Sequence, residues 1–270
     1  MKSPDWSGSS GDIWARRWRD TDRALAEVGA ALDQAIIDAA PAGPFRALDV
    51  GCGPGTTALA LAAVRADAEI LGCDLSQALV AIGEQRAEGL DQIRFVAEDA
   101  EKAALAQGPF DLIFSRHGVM FFADPKRAFA SLRSAVKPGG RLAFSCFREW
   151  AANPWAGELA FAAAGGEVPP PGREPSGFAF ADPDYVRDIL TGAGWGDAKA
   201  EALDFAYAAG GADEALGLLA ELGPAARILE GMDDAEREDA VERMRQVIER
   251  HERGRQVIFP AAAWIWSARA

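Results

Sequence analysis

Ala47-Leu48-Asp49-Val50-Gly51-Cys52-Gly53-Pro54-Gly55 is the stretch on which the reading of this chain turns. The apolar run Phe45 to Val50 stops at three glycines within five residues, and Thr56 to Val64 then carries helix-forming residues. That order predicts a buried strand, a sharp turn and a helix packed behind it. Glycines at such a turn let the backbone bend tightly and leave it bare to a ligand in front of a helix N-terminus. The spacing is Gly-x-Gly-x-Gly, whereas the dinucleotide fingerprint is Gly-x-Gly-x-x-Gly, so Thr56 in place of glycine counts against NAD. A tight turn and helix cap with no ligand is the plainer alternative for Gly51 and Gly53.

Working outward, Trp14 and Trp18 stand at i and i+4, and Leu25, Val28 and Leu32 continue the stripe, which predicts an N-terminal helix from about Ile13 to Ala40 stopped by Pro41 and Pro44. Downstream, strands are expected at Glu69–Asp74, Ile93–Ala97, Phe110–Ser115 and Leu142–Phe147, with helices at Leu79–Glu88 and Pro125–Val136. Strands alternating with helices imply an α/β fold, a parallel sheet with helices on both faces joined by right-handed crossovers. From Arg148 to Pro183, Gly165-Gly166, Pro169-Pro170-Pro171 and Gly172 break regular structure and predict a mobile cap. A helix from Asp182 or Asp184 to about Leu190, a strand at Ala202–Ala208 and a charged helix from Asp233 to about Arg253 follow. The chain closes on a strand, Val257 to Ser267, with a bulge or kink expected at Pro260.

Two acids fall at successive strand ends. Asp74 lies 19 residues beyond Gly55, where a carboxylate accepts both hydroxyls of a ribose. Asp99 follows the third strand, where a carboxylate receives an adenine amino group; capping the next helix is its alternative. With the glycine turn they describe an adenosine-shaped pocket at the carboxyl edge of the sheet.

In motif order, Leu48 to Gly55, Cys73-Asp74-Leu75-Ser76, Ala97-Glu98-Asp99-Ala100, Phe110-Asp111-Leu112-Ile113 and Leu132 through Leu142 resemble the class I S-adenosylmethionine-dependent methyltransferases. The likeness covers most of residues 14–147 and is greatest to the small-molecule branch, which includes quinone-biosynthesis and natural-product enzymes. It implies a Rossmann-like, seven-stranded, mostly parallel sheet with the last strand antiparallel. It further implies a single domain: cap helix 1–44, cofactor-binding core 45–147, lid or substrate loop 148–183, and C-terminal helices and closing strands 184–270.

By the same resemblance Gly51, Cys52 and Gly53 hold the methionine part of S-adenosylmethionine, Asp74 the ribose, Leu75 the adenine face, and Asp99 with Ala100 the adenine edge. Arg116 lies near the methionine carboxylate or the substrate. Trp14 and Trp18 belong to a cofactor-covering helix, or are plain core residues of it. His117, just past the fourth strand, falls where the acceptor meets the methyl group, as a general base or as a structural histidine. Phe178 and Phe180 either wall an apolar acceptor pocket or belong to a surface connection.

The implied reaction is methyl transfer to a small organic acceptor, releasing S-adenosylhomocysteine. The alternatives are a binding or scaffold protein on the same fold, an enzyme using the cofactor without methyl transfer, and a nicotinamide oxidoreductase disfavoured by the glycine spacing and Asp99.

Composition narrows the partners. The 270 residues, 49% hydrophobic and 26% charged, suit a folded chain. A net charge of −13 repels phosphate backbones, so no nucleic-acid partner is expected, and the charge favours neutral, hydrophobic or cationic acceptors. Cys52, Cys73 and Cys146 with His117 and His251 build neither a disulfide framework nor a metal site, and no thiolate cluster suits a metalloid such as arsenite. His251 reads as an edge packing residue. The opening Met1-Lys2-Ser3-Pro4-Asp5 lacks the pattern of a leader, and no apolar run reaches a membrane span, so a cytoplasmic setting is expected. A homodimer is left open.

Overall fold

The computed structural model describes residues 5–270; the opening Met1 to Pro4, read above for a leader, lies outside them. The first half runs α1 (Ser9–Ala24), α2 (Ala26–Ala39), β1 (Phe45–Val50), α3 (Thr56–Val64), β2 (Ala68–Asp74), α4 (Gln77–Arg86), β3 (Ile93–Ala97), α5 (Ala100–Gln107), β4 (Phe110–Arg116), α6 (Pro125–Ser134) and β5 (Val136–Phe147). The second runs α7 (Pro154–Ala164), α8 (Pro183–Gly192), β6 (Gly196–Gly210), α9 (Ala212–Glu221), α10 (Pro224–Leu229), α11 (Asp234–Arg250), β7 (Glu252–Arg253) and β8 (Gln256–Arg269).

One sheet joins them in the order β3-β2-β1-β4-β5-β8-β6, with the short β7 paired to β8. Strands β1 to β5 are parallel, and β8 inserts antiparallel between β5 and β6. The reversal after β1, between β2 on one side and β4 on the other, opens a crevice at the carboxyl ends of the strands, where ligands bind in open α/β sheets. The central strands are buried nearly throughout, as continuous apolar runs covered on both faces must be.

Several boundaries differ from those expected. The N-terminal helix begins at Ser9 and breaks at Leu25 (φ −102°, ψ 14°), so α1 runs over the carboxyl edge while α2 lays Val28, Leu32 and Ile36 in the core. One apolar stripe runs through both helices, which hides the break. The helix expected to reach Val136 stops at Ser134, and Lys137-Pro138-Gly139-Gly140 belongs to β5 as an irregularity between the pairs Phe110↔Val136 and Leu112↔Arg141. Strands β6 and β8 are longer than expected because they pair along most of their length, and the outer half of β6 is too exposed to show an alternation.

No bulge falls at Pro260. Its partner Ala206 donates its N–H to Glu27 (2.9 Å), and β5 has already ended at Phe147↔Ala263, so no ladder bond is asked of the proline.

The 148–183 segment holds a helix that its Gly/Pro content masks. In α7, Trp155, Ala156, Leu159, Ala160 and Ala163 are buried, Pro154 sits in the first turn, and Gly165 ends the helix in the left-handed region (φ 69°). Arg243 of α11 donates to the carbonyls of Ala162 (2.7 Å) and Ala163 (3.0 Å) at that end. Asn153, fully buried, ties the helix to the sheet. Its amide donates to the carbonyls of Arg148, Glu149 and Ala262, and its oxygen accepts from Ala262 N–H (3.0 Å) and Trp155 Nε1 (3.1 Å). Helices α9 and α10 were not anticipated. His251 stands at the end of α11, its Nε2 3.0 Å from Glu158 and its ring against Phe259, a packing position as expected.

Candidate active site

The turn after β1 is held in place by Cys52 N–H, which donates to Cys73 O (3.0 Å) on β2. Gly51, Gly53 and Gly55 have φ of 63°, 53° and 76°, a region that side chains rarely enter. Each glycine also has its own spatial reason. A Cβ on Gly55 would lie 2.5 Å from the Phe95 ring, and one on Gly51 would lie 3.0 Å from Gly118 Cα. At Gly53 a Cβ would meet nothing within 4 Å, because that backbone faces an open cavity.

This cavity has a volume of about 330 Å³, and all ten residues assigned by resemblance to the cofactor line it: Trp14, Trp18, Gly51, Cys52, Gly53, Asp74, Leu75, Asp99, Ala100 and Arg116. Asp74, at the end of β2, accepts from Gly53 N–H (2.9 Å) and Ser76 N–H (2.8 Å). Burial pushes its pKa up against those bonds. Leu75 is 46% exposed, a large apolar side chain left open at the rim where a flat ring can cover it. Asp99 caps α5, but Oδ1 alone accepts both N–H groups, from Glu101 and Lys102 at 3.1 Å, leaving Oδ2 for a ligand. Cap and binding group are compatible in one carboxylate.

Helix α1 roofs the cavity through Trp14 and Trp18. The Trp18 ring carries the guanidinium groups of Arg19 (4.3 Å) and Arg86 (4.5 Å) over it. Asp22 anchors the same helix, taking Arg116 Nη2 at 2.5 Å and Thr56 Oγ1 at 2.6 Å. Arg116 therefore lines the cavity with its guanidinium paired to Asp22, a contact that ties β4 to the roof helix.

Asp49 is a feature of the site that the sequence reading passed over. It is 1% exposed, lines the cavity, and neither oxygen reaches a hydrogen-bond partner among the described residues. Burial raises its pKa to about 8; Arg116 opposes this, and Asp74 and Asp33 add to it. An acid inside an apolar run that reads as a buried strand was the available signal, since such a group is costly unless a partner meets it.

These shifts set a pH dependence. An acid whose folded pKa is raised stabilises the fold fully below its unfolded pKa and loses that contribution as pH rises through the folded one. Asp49 acts from about pH 4 to 8, Asp33, raised by burial to about 6, from about pH 4 to 6. His117, lowered to about 3, acts in the opposite sense below pH 6.5. Of these three, Asp49 alone titrates between pH 6.5 and 8. Unfolding free energy, measured by chemical denaturation, is expected to fall by about 1–2 kcal/mol over that interval. In Asp49→Asn most of the decline should be lost, the buried thiols of Cys52, Cys73 and Cys146 leaving a small remainder near pH 8.

A second cavity, of about 470 Å³, adjoins the first and shares Trp6, Trp14, Thr21, Leu25, His117 and Phe121 with it. One part of its wall is a cluster of aromatic rings: Trp155 stacks on Tyr207 (4.8 Å, 4° between planes), and Phe178 stacks on both Phe147 and Trp155 at 28°. Trp150 adds an edge contact to Phe178. Phe178 thus lines the cavity, whereas Phe180 lies in the core between Phe129 and Phe144. Burial keeps Tyr207 a neutral phenol by raising its pKa.

His117 stands at the shared wall, 6% exposed and with φ of 61°. Ser145 of β5 holds it twice: its carbonyl accepts His117 N–H (3.2 Å), and its Oγ lies 2.7 Å from Nδ1. Burial, then the nearby Arg116 charge, lowers the imidazole pKa to about 3. Nε2 has no partner among the described residues.

Residues 48–144 match the family model described as methyltransferase domain. This stretch of the chain is similar to methyltransferase domains. Malonyl-[acyl-carrier protein] O-methyltransferase of Methylococcus capsulatus is 33% identical over 153 residues, which are 53% of this chain and 56% of that protein. Demethylmenaquinone methyltransferase of Thermus thermophilus is 37% identical over 101 residues, 37% of this chain and 46% of its own length. The chain thus spans about half the length of these curated relatives. Among solved structures, phosphoethanolamine N-methyltransferase 2 of Haemonchus contortus, in complex with phosphomonomethylethanolamine and S-adenosylhomocysteine, shares the fold. Its TM-score is 0.56 at 17% identity, with 97% of this chain and 60% of that one covered. The matched stretch holds the glycine turn and both strand-end acids; α7, α9 and α10, which border the aromatic cavity, lie beyond it.

Proposed function

We propose that this chain transfers a methyl group from S-adenosylmethionine to a small organic acceptor and releases S-adenosylhomocysteine. The observation that carries the reading is the pair of joined cavities, one bordered by the glycine turn, Asp74 and Asp99, the other by aromatic rings, meeting at His117. The residues fit the cofactor: bare backbone at Gly53, a free oxygen on Asp99, an exposed Leu75, and a buried, unpartnered Asp49 suited to a cationic amino group. When bound, S-adenosylmethionine supplies a methyl group on a sulfonium, whose displacement depends mainly on alignment.

In this reading Asp74 binds the ribose hydroxyls, Leu75 and Ala100 border the adenine, and Asp99 takes its amino group. The turn of Gly51, Cys52 and Gly53 receives the methionine part, and Trp14 and Trp18 cover it. Arg116 holds the roof through Asp22 and contributes its positive field. The aromatic cavity receives an apolar, ring-bearing acceptor and excludes water. We read residues 1–270 as one domain acting in the cytoplasm. No helix among the described residues is long and apolar enough to cross a membrane, and no group of His, Cys, Asp and Glu among them could hold a metal ion.

Calorimetric titration with S-adenosylhomocysteine, with NAD as comparison, tests the cofactor. Micromolar or tighter binding of the former alone is expected, and preference for NAD, or no binding, overturns the reading. Turnover against a panel of small acceptors then separates a methyltransferase from a binding protein or a non-methylating enzyme on the same fold.

A further inference from the structure

We propose that His117 presents an N–H, not a lone pair, to the acceptor, and that it holds an acceptor oxygen that has already lost its proton. The inference rests on the two-cavity reading above. It starts from Ser145, whose hydroxyl has Nδ1 of His117 as its single hydrogen-bond partner among the described residues. Ser145 is fully buried. If Nδ1 carried the proton, it would donate to Oγ and leave the serine O–H without an acceptor, a buried donor unsatisfied. If instead Ser145 donates to Nδ1, both groups are satisfied and the imidazole proton sits on Nε2. That atom is the one without a partner, and His117 lies on the wall common to both cavities.

A neutral imidazole in this tautomer cannot take a proton through Nε2. The protonated ring is further disfavoured by burial and by Arg116. What it offers is a fixed donor in an apolar cavity, where a hydrogen bond to an anionic oxygen is strongest. An ionised hydroxyl needs no base: its lone pair forms the bond to the methyl carbon while the carbon–sulfur bond breaks and that pair returns to sulfur, so no proton leaves during transfer. The parallel rings of Trp155, Tyr207 and Phe178 favour a flat partner, which points to hydroxyarenes or enolised dicarbonyls acidic enough to ionise near neutrality. This departs from the preference for neutral or cationic acceptors that the net charge suggested. The charged groups around the two cavities include the Arg116–Asp22 pair, Asp49, Asp74 and Asp99 on one side, and Glu221 with Arg17, Arg227 and Glu230 on the other.

The test uses 2-naphthol, whose ionised form has its own absorbance, bound to the protein saturated with S-adenosylhomocysteine between pH 7 and 10. The quantity read is the ratio of affinities for naphtholate and naphthol. Wild type is expected to favour naphtholate at least about tenfold more than His117→Phe does. His117→Gln, which keeps a donor without basicity, should stay close to wild type. Ser145→Ala, a change at the positioning residue, should lower the ratio because Nε2–H is no longer enforced, and it keeps the test open should His117→Phe fail to fold. A general base gives the opposite sign, since neutral naphthol would then donate to Nε2, and a ratio unchanged across the variants assigns His117 a structural role; either result overturns the inference. Binding of S-adenosylhomocysteine without any naphthol binding also overturns it, whereas loss of S-adenosylhomocysteine binding to wild type overturns the proposed function instead.

Discussion

Asp74→Ala is expected to weaken S-adenosylhomocysteine binding by about 1.5–3 kcal/mol, roughly 10- to 150-fold in affinity, through loss of charge-assisted hydrogen bonds. The structure adds a second reason for a large effect. The same carboxylate clamps Gly53 N–H and Ser76 N–H, so its removal also loosens the glycine turn and the start of α4, where Ser76 is the cap. Asp74→Asn keeps the shape and one acceptor but loses the charge, and should fall between wild type and alanine. Calorimetry on all three proteins checks the order; affinity unchanged in Asp74→Ala removes this residue from the site.

Asn153→Ala should produce a large loss of stability, about 3 kcal/mol. The side chain is fully buried, and its deletion strands the Ala262 N–H and the indole N–H of Trp155 among apolar neighbours. At roughly 2–4 °C per kcal/mol for a chain of this size, the melting temperature should drop by about 6–12 °C. Asn153 is remote from the glycine turn, so S-adenosylhomocysteine affinity in the folded variant should change little, while the Trp155 wall of the aromatic cavity loosens. A melting temperature within about a degree of wild type would show that water replaces the amide without cost.

The strands β1 to β4 and the helices after them were legible because each is specified locally: a short apolar run, a glycine or a capping residue, and a helical stretch follow one another within about ten residues. Asp99 and Asp182, both read as possible helix starts, cap helices in the structure, as do Ser76 and Asp124, which were not read as caps. Legibility fell where a signal was shared or masked. The stripe through Val28 and Leu32 continues that of Trp14 and Trp18 and conceals the break at Leu25. The glycines and prolines after Gly165 drew the preceding helix α7 into what read as a loop. Asp49 was quoted within the motif and left without a role, because an acid near a strand end resembles Asp74 until its burial is known.

By itself, the sequence determined the α/β class, the turn with its three glycines, and the two acids after β2 and β3. Each depends on backbone geometry that a few adjacent residues impose. Tertiary structure decided the rest: that Arg116 pairs with Asp22, that burial raises the pKa of Asp49, and that Ser145 Oγ meets Nδ1 of His117. It also built the aromatic cavity, in which Trp155 meets Tyr207 from 52 residues away. Protonation, charge pairing and cavity shape follow from which groups share a space without water, and segments distant in the chain decide that only when they pack.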